Sequence, residues 1–225
     1  GAISEVSSSP INHTVRPPSD FYVYAPSDSF MRAVAPVGGV VGAAADSKSE
    51  GHLDRAKNNG RNLLSSLNIE DPAVRIRESI LELMIMRLDA TPGVASATEV
   101  ESKKASVIVE SFPSAKGHIL DIRVQHWACD RKRAFSSEYN MIFVVEFQLI
   151  SIGTEELVAK GRFVWLTPAG FDTPKFDDLV ENDAGRIKEQ VDLMVTDSIA
   201  YFSTNILGIQ EVQQTGGGNA LKRAP

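Results

Sequence analysis

A glycine-rich run, Val37-Gly38-Gly39-Val40-Val41-Gly42, is the first feature of the sequence that could carry chemistry. Glycines at such spacing let a backbone approach the phosphates of a dinucleotide, for which G-x-G-x-x-G is the typical pattern. Valine takes the place of the first glycine here, and no Gly-Lys-Ser or Gly-Lys-Thr follows to complete a phosphate-binding loop. Binding of a small ligand or nucleotide by the loop from Gly38 to Gly42 is therefore an alternative hypothesis. A loop without a ligand, or close packing through small residues, explains the same run.

Histidine and cysteine side chains are the next candidates, either as metal ligands or as acid–base groups. His118 and His126 are eight residues apart, which is about 26 Å along a strand and too far for a shared metal ion. His126 lies near the single cysteine, Cys129, but a zinc site needs a third protein ligand. The alternation of the surrounding residues predicts that His126 lies on the apolar face of its strand, as an interior or edge histidine and not as a metal ligand.

Sequence motifs of common catalytic sites are absent. The chain has no G-x-S-x-G nucleophile elbow, no H-E-x-x-H and no paired C-x-x-C. Catalysis needs several groups within hydrogen-bond reach of one another, and the sequence identifies no such set. We therefore expect a protein that is not an enzyme, with no catalytic, cofactor-binding or metal-ligating residue and no cofactor.

Charge indicates which partners suit the chain. The net charge is -6 with a sequence pI of about 5.3, whereas proteins that bind nucleic acid need a basic surface. Residues 170–197 carry an acidic excess that is typical of a solvated helix face or of a surface for a basic partner. The basic run Arg131-Lys132-Arg133 could meet lipid headgroups or an acidic partner, and Asn12-His13-Thr14 is a formal N-glycosylation sequon. A protein partner is expected and nucleic acid is not, while the oligomeric state stays open.

Composition favours one globular domain. The chain has 225 residues, of which 43% are hydrophobic and 23% are charged, and these are ordinary values for a globular protein. No apolar run reaches the roughly 18 to 20 residues that a membrane-spanning helix needs. Residues 1–20 are rich in Ser and Pro and predict a flexible linker. Residues 21–209 form the predicted α/β domain, and residues 210–225, with three consecutive glycines, predict a flexible tail.

Helical periodicity marks two elements. Asp71-Pro72 is a typical helix start, with Asp as the N-cap and Pro at the first helical position. This helix should extend to Leu88, end before Thr91-Pro92-Gly93 and be largely buried, because its apolar residues cover more than one stripe. The polar segment at residues 46–61 precedes this helix, and no element is predicted there. A second, amphipathic helix is predicted over residues 184–207. Its apolar stripe consists of Ile187, Val191, Met194, Val195, Phe202 and Ile206.

Alternating patterns predict a series of strands. A short run at residues 21–24 and another at residues 107–112 are candidate strands. Residues 119–128 alternate, with Leu120, Ile122 and Val124 on one face. A hairpin about Gly153 would pair Phe143 with Phe163 and Met141 with Trp165 and would bury one aromatic face against the helix that begins at Asp71. The predicted fold class is therefore α/β, a single domain with a mixed, mainly antiparallel sheet flanked by helices.

The hairpin carries a resemblance to a known family. Tyr139-Asn-Met-Ile-Phe-Val-Val-Glu-Phe-Gln-Leu-Ile150, a short turn and Leu157-Val-Ala-Lys-Gly-Arg-Phe-Val-Trp165 resemble strands of bacterial envelope lipoproteins related to the curli-secretion lipoprotein and to the TolB amino-terminal domain. The family's turn usually reads Asp-x-x-Thr-Gly-Glu. Here Ser151-Ile-Gly-Thr-Glu-Glu156 keeps the threonine and an acidic residue, and the glycine lies at a different position. The resemblance spans approximately residues 21–208.

The resemblance implies a location and a role. It implies an exported protein on the periplasmic side of a bacterial membrane, held near the outer membrane by a lipid anchor on a cysteine that this chain does not contain. The Ser- and Pro-rich leader would then be the tether. The implied function is non-enzymatic and consists of binding a partner protein or assisting its assembly.

Overall fold

A six-stranded mixed sheet forms the centre of the protein, in a computed structural model that describes residues 6–25, 47–132, 137–170, 175–177 and 184–209. The strands are β1 Pro10–Val15, β2 Tyr22–Val23, β3 Thr91–Glu99, β4 His118–Arg131, β5 Tyr139–Ser151 and β6 Leu157–Leu166. Their order is β3-β1-β4-β5-β6, and β2 pairs with the far end of β4. β1 is parallel to both neighbours, whereas β4, β5 and β6 form long antiparallel ladders.

Helices flank this sheet on both faces. In the described ranges these are α1 Ser47–Leu67, α2 Pro72–Leu88, α3 Ala105–Glu110 and α4 Ala184–Tyr201, which continues as a short π-helix, Phe202–Ile206. α2 and α4 pack on one face, which we call the inner face and which contains the largest buried cluster. α3 packs on one end of the opposite, outer face, and α1 lies beside β2. The predicted fold class, α/β in a single domain with a mixed sheet flanked by helices, is confirmed.

α2 begins where the sequence predicts. The Asp71 carboxylate accepts a hydrogen bond from the backbone N–H of Ala73 at 2.8 Å, and Pro72 occupies the first turn. The helix ends at Asp89, whose φ of 53° lies in the left-handed region. One stripe at i, i+4 spacing is buried, from Ile76 to Leu88, while Met86 is 73% exposed. Leu81 and Leu83 are partly buried against the same core, whereas Ile85 is exposed. The helix is therefore less buried than the sequence predicts, because its last two turns have an exposed apolar side.

The β5–β6 hairpin is present, with a register that differs from the prediction. Phe143 pairs with Trp165 rather than with Phe163, and Val145 pairs with Phe163. The difference is two residues, so each side chain keeps the face that alternation assigns to it. The aromatic face is buried as predicted, but the ring of Phe147 contacts Phe202 at a centroid distance of 5.3 Å. The end of α4 therefore covers these rings, together with α2.

The final helix follows its predicted stripe. Its inward residues Ile187, Val191, Met194, Val195 and Phe202 are buried. The helix widens into the π-helical turn before Gly208, whose φ of 70° suits glycine at a helix end. Residues 210–225, predicted to be a flexible tail, lie outside the described residues.

β1 occupies a segment that the sequence assigns to a flexible linker. Pro10–Val15 lies between β3 and β4 in the middle of the sheet, and Ile11 is buried in the main core. Burial, followed by the charge of Arg77, lowers the pKa of His13 below its usual value. The linker prediction for residues 1–20 is wrong over this strand. Half of its residues are polar, and its buried polar groups obtain partners only from distant parts of the chain.

Asn12 shows how a polar residue is accommodated in the centre of the sheet. Its amide nitrogen donates to the carbonyls of Lys116 at 2.9 Å and His118 at 3.0 Å. Its amide oxygen accepts from the backbone N–H of Val94 at 3.0 Å. A Cβ on Gly93 would lie 2.6 Å from that oxygen, so only glycine allows this approach. The sequon asparagine therefore ties β1 to its surroundings on both sides.

Two elements in the middle of the chain differ from their predictions. Residues 107–112, predicted as a strand, lie mostly in α3, because Ile108 and Phe112 are both buried at helical i, i+4 spacing. Thr91-Pro92-Gly93, predicted as the stop after α2, begins β3. β3 is exposed over most of its length. Its sequence therefore shows no apolar alternation, and pairing with β1 determines its structure.

α1 fills the segment for which no element is predicted. Its buried residues Ala56, Gly60 and Leu63 follow i, i+4, i+7 spacing. Leu64 and Leu67 pack partly buried near its end, but most residues before Ala56 are polar. A Cβ on Gly60 would overlap the backbone of Phe21, so the helix packs directly on the chain before β2. Small residues thus replace the large apolar stripe by which a helix is usually recognised.

The Asn12 contacts predict that this residue is essential for stability. In Asn12→Asp, carboxylate oxygens would face the carbonyls of Lys116 and His118 in a buried position. We expect the free energy of unfolding to fall by about 3 kcal/mol or more, measured by urea denaturation. The control Asn58→Asp lies on the exposed side of α1 and should change stability by less than about 0.5 kcal/mol. Equal stability of the two variants would contradict a structured β1.

Candidate functional site

The outer face of the sheet is covered at its ends and open between them. At one end the contacting residues are Ile108, Phe112, Ile119 and Ile150, and at the other they are Tyr24, Ala56 and Ala128. Between these clusters the outward side chains of β6 stay in contact with solvent. Val164 is 40% exposed and Leu166 is 49% exposed. Within the described chain, no helix covers them.

Alternation along β6 determines which residues form this open part. Phe163 and Trp165 contribute to the inner core, so the residues between and beside them point outward. The outward residues are Lys160, Arg162, Val164 and Leu166, and all four are exposed. We call these four residues the β6 surface.

The charged half of the β6 surface lies around one carboxylate. Glu146 on β5 forms a close ion pair with Arg123, and its other oxygen lies 3.9 Å from the Lys160 ammonium. Arg162 lies directly opposite Glu146 in the β5–β6 ladder. Burial alone raises the pKa of Glu146. The hydrogen bond and charge of Arg123 and the charge of Lys160 together outweigh burial, so the pKa lies below its usual value. This part of the outer face therefore has three cations around one ionised carboxylate.

The other half of the β6 surface is apolar. Val164 pairs with Val144 on β5, and Leu166 pairs with Ile142. Val144 is buried although its cross-strand neighbour is exposed. An apolar strip therefore continues from the sheet to its edge, directly beside the cationic half.

A pocket of about 320 Å³ opens beside β4, in the gap between β1 and β2. Charged groups in its lining include Arg16, Asp20 and Arg123. Each of them already has a partner within the fold. Arg123 holds Glu146, and the Asp20 carboxylate lies 2.6 Å from the Lys57 ammonium. These three groups therefore stabilise the wall of the pocket, which Glu101 and His126 also line.

Arg16 makes the most extensive of these contacts. Its guanidinium donates from Nε and Nη2 to the two carboxylate oxygens of Asp121, at 2.8 and 2.6 Å. It also donates to the carbonyl of Val100, and the Thr14 hydroxyl donates to Asp121 at 2.6 Å. Side-chain exposure is 9% for Arg16 and 3% for Asp121. This buried bidentate pair fixes the direction in which the chain leaves β1.

His126 does not lie where alternation predicts. The β4–β5 register shifts between Val124 and His126, so Gln125 is an extra residue in a β-bulge. After the bulge, Trp127 and Cys129 join the inner core, and His126 turns to the other face. There its ring stacks on Tyr22 at a centroid distance of 6.2 Å. The prediction of an inward His126 is wrong, since a bulge reverses the faces of all later residues.

The other candidate residues from the sequence, Cys129, His118 and Asn12, lie in buried positions. Cys129 is fully buried, and burial raises the pKa of its thiol far above the usual range. His118 is buried and its Nδ1 lies 2.9 Å from the Ser9 hydroxyl oxygen. Asn12 of the sequon is enclosed in the sheet. In the part of the chain that the structure describes, no three His, Cys, Asp or Glu side chains gather as a metal site.

The charged runs lie partly outside the described residues. In the run Arg131-Lys132-Arg133, the Lys132 ammonium pairs with Glu138 at 3.1 Å, and residue 133 is not described. In the acidic stretch at residues 170–197, Asp192 pairs with Arg75 at 2.8 Å. The loop from Gly38 to Gly42 lies outside the described residues altogether. A nucleotide site there stays a prediction.

Comparison with known proteins gives only distant likenesses. No family model matches the chain, and no curated protein matches it. Of the helices described, none is both long and apolar enough for a membrane span. The envelope family suggested by the hairpin strands therefore stays a prediction.

Three of the solved structures that match the chain are bacterial proteins. Protein XCC0632 from Xanthomonas campestris, of family model DUF330, is 14% identical over 91% of this chain and 88% of its own, with a TM-score of 0.36. The hypothetical protein CT253 from Chlamydia trachomatis is 6% identical over 89% and 99%, with a TM-score of 0.33. The LpoB C-terminal domain from Salmonella enterica is 10% identical over 71% and 84%, with a TM-score of 0.22. Such scores do not indicate a shared function or partner.

The sequence analysis did not single out the β6 surface. In the sequence, this surface corresponds to the alternation of Lys160, Arg162, Val164 and Leu166 with inward residues. That alternation predicted the strand, but it could not indicate that the strand ends the sheet or that no described helix lies over it. The exposure of a face depends on how distant segments pack.

The buried pair predicts a large loss of stability in Asp121→Asn. The variant leaves the Arg16 guanidinium buried without its countercharge. The free energy of unfolding should decrease by about 3 to 5 kcal/mol in chemical denaturation. The matched control Asp20→Asn breaks an exposed ion pair with Lys57 and should cost less than about 1 kcal/mol. Similar losses in both variants would show that the buried pair has no special role.

A second prediction concerns pH. Burial raises the pKa of Asp197, and the hydrogen bond from Trp165 Nε1, at 2.9 Å, offsets part of this rise. The folded protein therefore holds this proton more tightly than the unfolded chain does, and stability decreases as pH rises through the folded pKa. Asp197→Asn keeps an acceptor for Trp165 and cannot ionise. We expect this variant to be more stable than the native protein at neutral pH, by thermal denaturation.

The pH dependence of stability distinguishes the removal of the Asp197 charge from a stabilisation that does not depend on ionisation. The advantage of Asp197→Asn should disappear in acid, below the usual pKa of an aspartate. The control Asp192→Asn, on the same helix, loses its ion pair with Arg75 and should give no gain at neutral pH. A lower stability of Asp197→Asn at neutral pH would contradict the assignment.

Proposed function

We propose that this protein is a non-enzymatic component of the bacterial envelope that binds a partner protein through the β6 surface. The exposure of Val164 and Leu166 directly beside two cations carries the proposal. Apolar surface rimmed by polar and charged groups is typical of sites where proteins bind one another. Burying these two side chains in an interface would contribute about 1 to 2 kcal/mol each.

The pocket beside β4 supports binding over catalysis. Arg16, Asp20 and Arg123 in its lining are held in ion pairs that join separate parts of the fold, as the contact between Arg16 and Asp121 does. A side chain held in this way is poorly placed to exchange protons with a substrate. The same contacts make the sheet a rigid support for the β6 surface.

The location is a separate part of the proposal. A periplasmic position near a lipid anchor is supported by the resemblance of Tyr139–Ile150 and Leu157–Trp165 to strands of envelope lipoproteins. A protein held at a membrane by a tether meets its partners along that membrane. An open sheet face is suited to such a partner.

Photo-crosslinking in cells tests both parts of the proposal. A photoreactive amino acid would replace Val164 in the full-length gene product, and a second strain would have it in place of Met86. Both positions are exposed, but Met86 lies on α2, away from the β6 surface. We expect a discrete protein adduct from position 164 in the membrane fraction and none from position 86.

Other outcomes would contradict specific parts. Equal adducts from both positions, or none from position 164, would end the proposal that the β6 surface binds a protein. An adduct from position 164 in the cytoplasmic fraction would keep the binding function and overturn the envelope location.

A further inference from the structure

The backbone of β6 forms one edge of the sheet. β6 is the last strand in the order β3-β1-β4-β5-β6. The N–H of Thr167 donates to the carbonyl of Met141 at 3.1 Å, and the N–H of Met141 donates to the Thr167 hydroxyl at 2.7 Å. The backbone of Met141 therefore faces β6. In an antiparallel ladder, backbone orientation alternates along the strand, so Phe143 and Val145 face β6 as well.

The outward backbone groups of β6 follow from this register. Trp165 and Phe163, opposite Phe143 and Val145, direct their N–H and C=O groups toward β5. The N–H and C=O groups of Arg162, Val164 and the adjacent alternate residues point away from the sheet. These are the residues whose side chains form the β6 surface. One row of residues thus offers both backbone hydrogen bonds and side-chain contacts.

The two edges of the sheet differ in how they are protected. β3, at the other edge, contains Pro92 and pairs with β1 through two register shifts. Proline and bulges are common devices against the addition of another strand. On β6, Lys160 and Arg162 protect one half in the usual way. Within the residues that the structure describes, the half with Val164 and Leu166 has no such protection, and its pairing with β5 is regular.

Charge indicates what an added strand would contain. The cations Arg123, Lys160 and Arg162 surround the single carboxylate of Glu146. Side chains directly opposite one another in an antiparallel pair lie about 4.5 to 5.5 Å apart, so opposite charges there stabilise the pair. An acidic residue opposite Arg162 and another opposite Lys160 would balance these cations.

We propose that the partner binds by adding an extended segment to β6 as a seventh, antiparallel strand. This inference rests on the proposed function and specifies its binding mode. The segment has apolar residues opposite Leu166 and Val164 and acidic residues opposite Arg162 and Lys160, at alternate positions in that order. Backbone hydrogen bonds hold the segment, and the side chains determine its register.

A synthetic peptide tests the charge pattern. The probe is a fluorescent Ser-Val-Thr-Ile-Thr-Glu-Thr-Glu-Ser peptide, and its binding to the folded chain is measured by fluorescence anisotropy. Arg162→Glu should weaken binding about tenfold or more, whereas the control Lys103→Glu, exposed and outside the β6 surface, should not. A probe with lysine in place of both glutamates should bind Arg162→Glu better than it binds the native chain. No saturable binding of the first probe, or no reversal with the second, would overturn the proposal.

A pair of substitutions at position 164 tests the backbone contact. Val164→Pro removes an outward N–H and leaves the β5–β6 ladder intact, while Val164→Thr keeps that N–H and changes the side chain. Strand addition predicts that the proline variant loses binding about tenfold more than the threonine variant, with similar unfolding midpoints. A greater loss in the threonine variant would show docking by side chains alone. An adduct at position 164 without peptide binding would overturn strand addition and leave the proposed function standing.

Discussion

The ion pair between Arg16 and Asp121 is the contact on which the rest of the structure depends. It joins the residue after β1 to the beginning of β4 across more than a hundred residues of sequence and is almost completely buried. Two buried charges are tolerated because the geometry is bidentate and the Thr14 hydroxyl and the Val100 carbonyl satisfy the remaining groups. The pair holds the end of β1 against β4, and the chain then runs along the same edge of β4 to form β2.

This constraint gives the sheet two different faces. With β1 and β2 fixed beside β4, α2 and α4 cover the inner face, and α1 packs against β2. The outer face has helical cover only at its two ends, and the outward residues of β6 stay exposed in the described chain. A rigid sheet with one covered face suits a protein that binds an extended partner at an edge. The polar contacts around the pocket thus hold in place the sheet that carries the β6 surface, although they lie away from that surface.

Sequence reasoning succeeded where local periodicity determines the structure. The N-cap at Asp71 and the alternation in β5 and β6 predicted α2 and the hairpin, because burial of one face imposes the pattern. β1 was missed because Asn12 has its partners more than 80 residues away. His126 was assigned to the wrong face because the bulge at Gln125 leaves no clear mark in the sequence. The β6 surface was missed because its exposure is a property of the whole sheet.

Native-state hydrogen exchange tests most directly whether β1 is an integral strand beside an open β6 edge. Amides in β1 and β4 lie in the interior of the sheet, and we expect those that donate within the ladder to exchange only through global unfolding. The outward amides of Arg162, Val164 and Leu166 should exchange rapidly in the same protein. Rapid exchange throughout residues 11–15 would contradict the placement of β1. Protection of the three β6 amides equal to that of β1 would contradict an open edge.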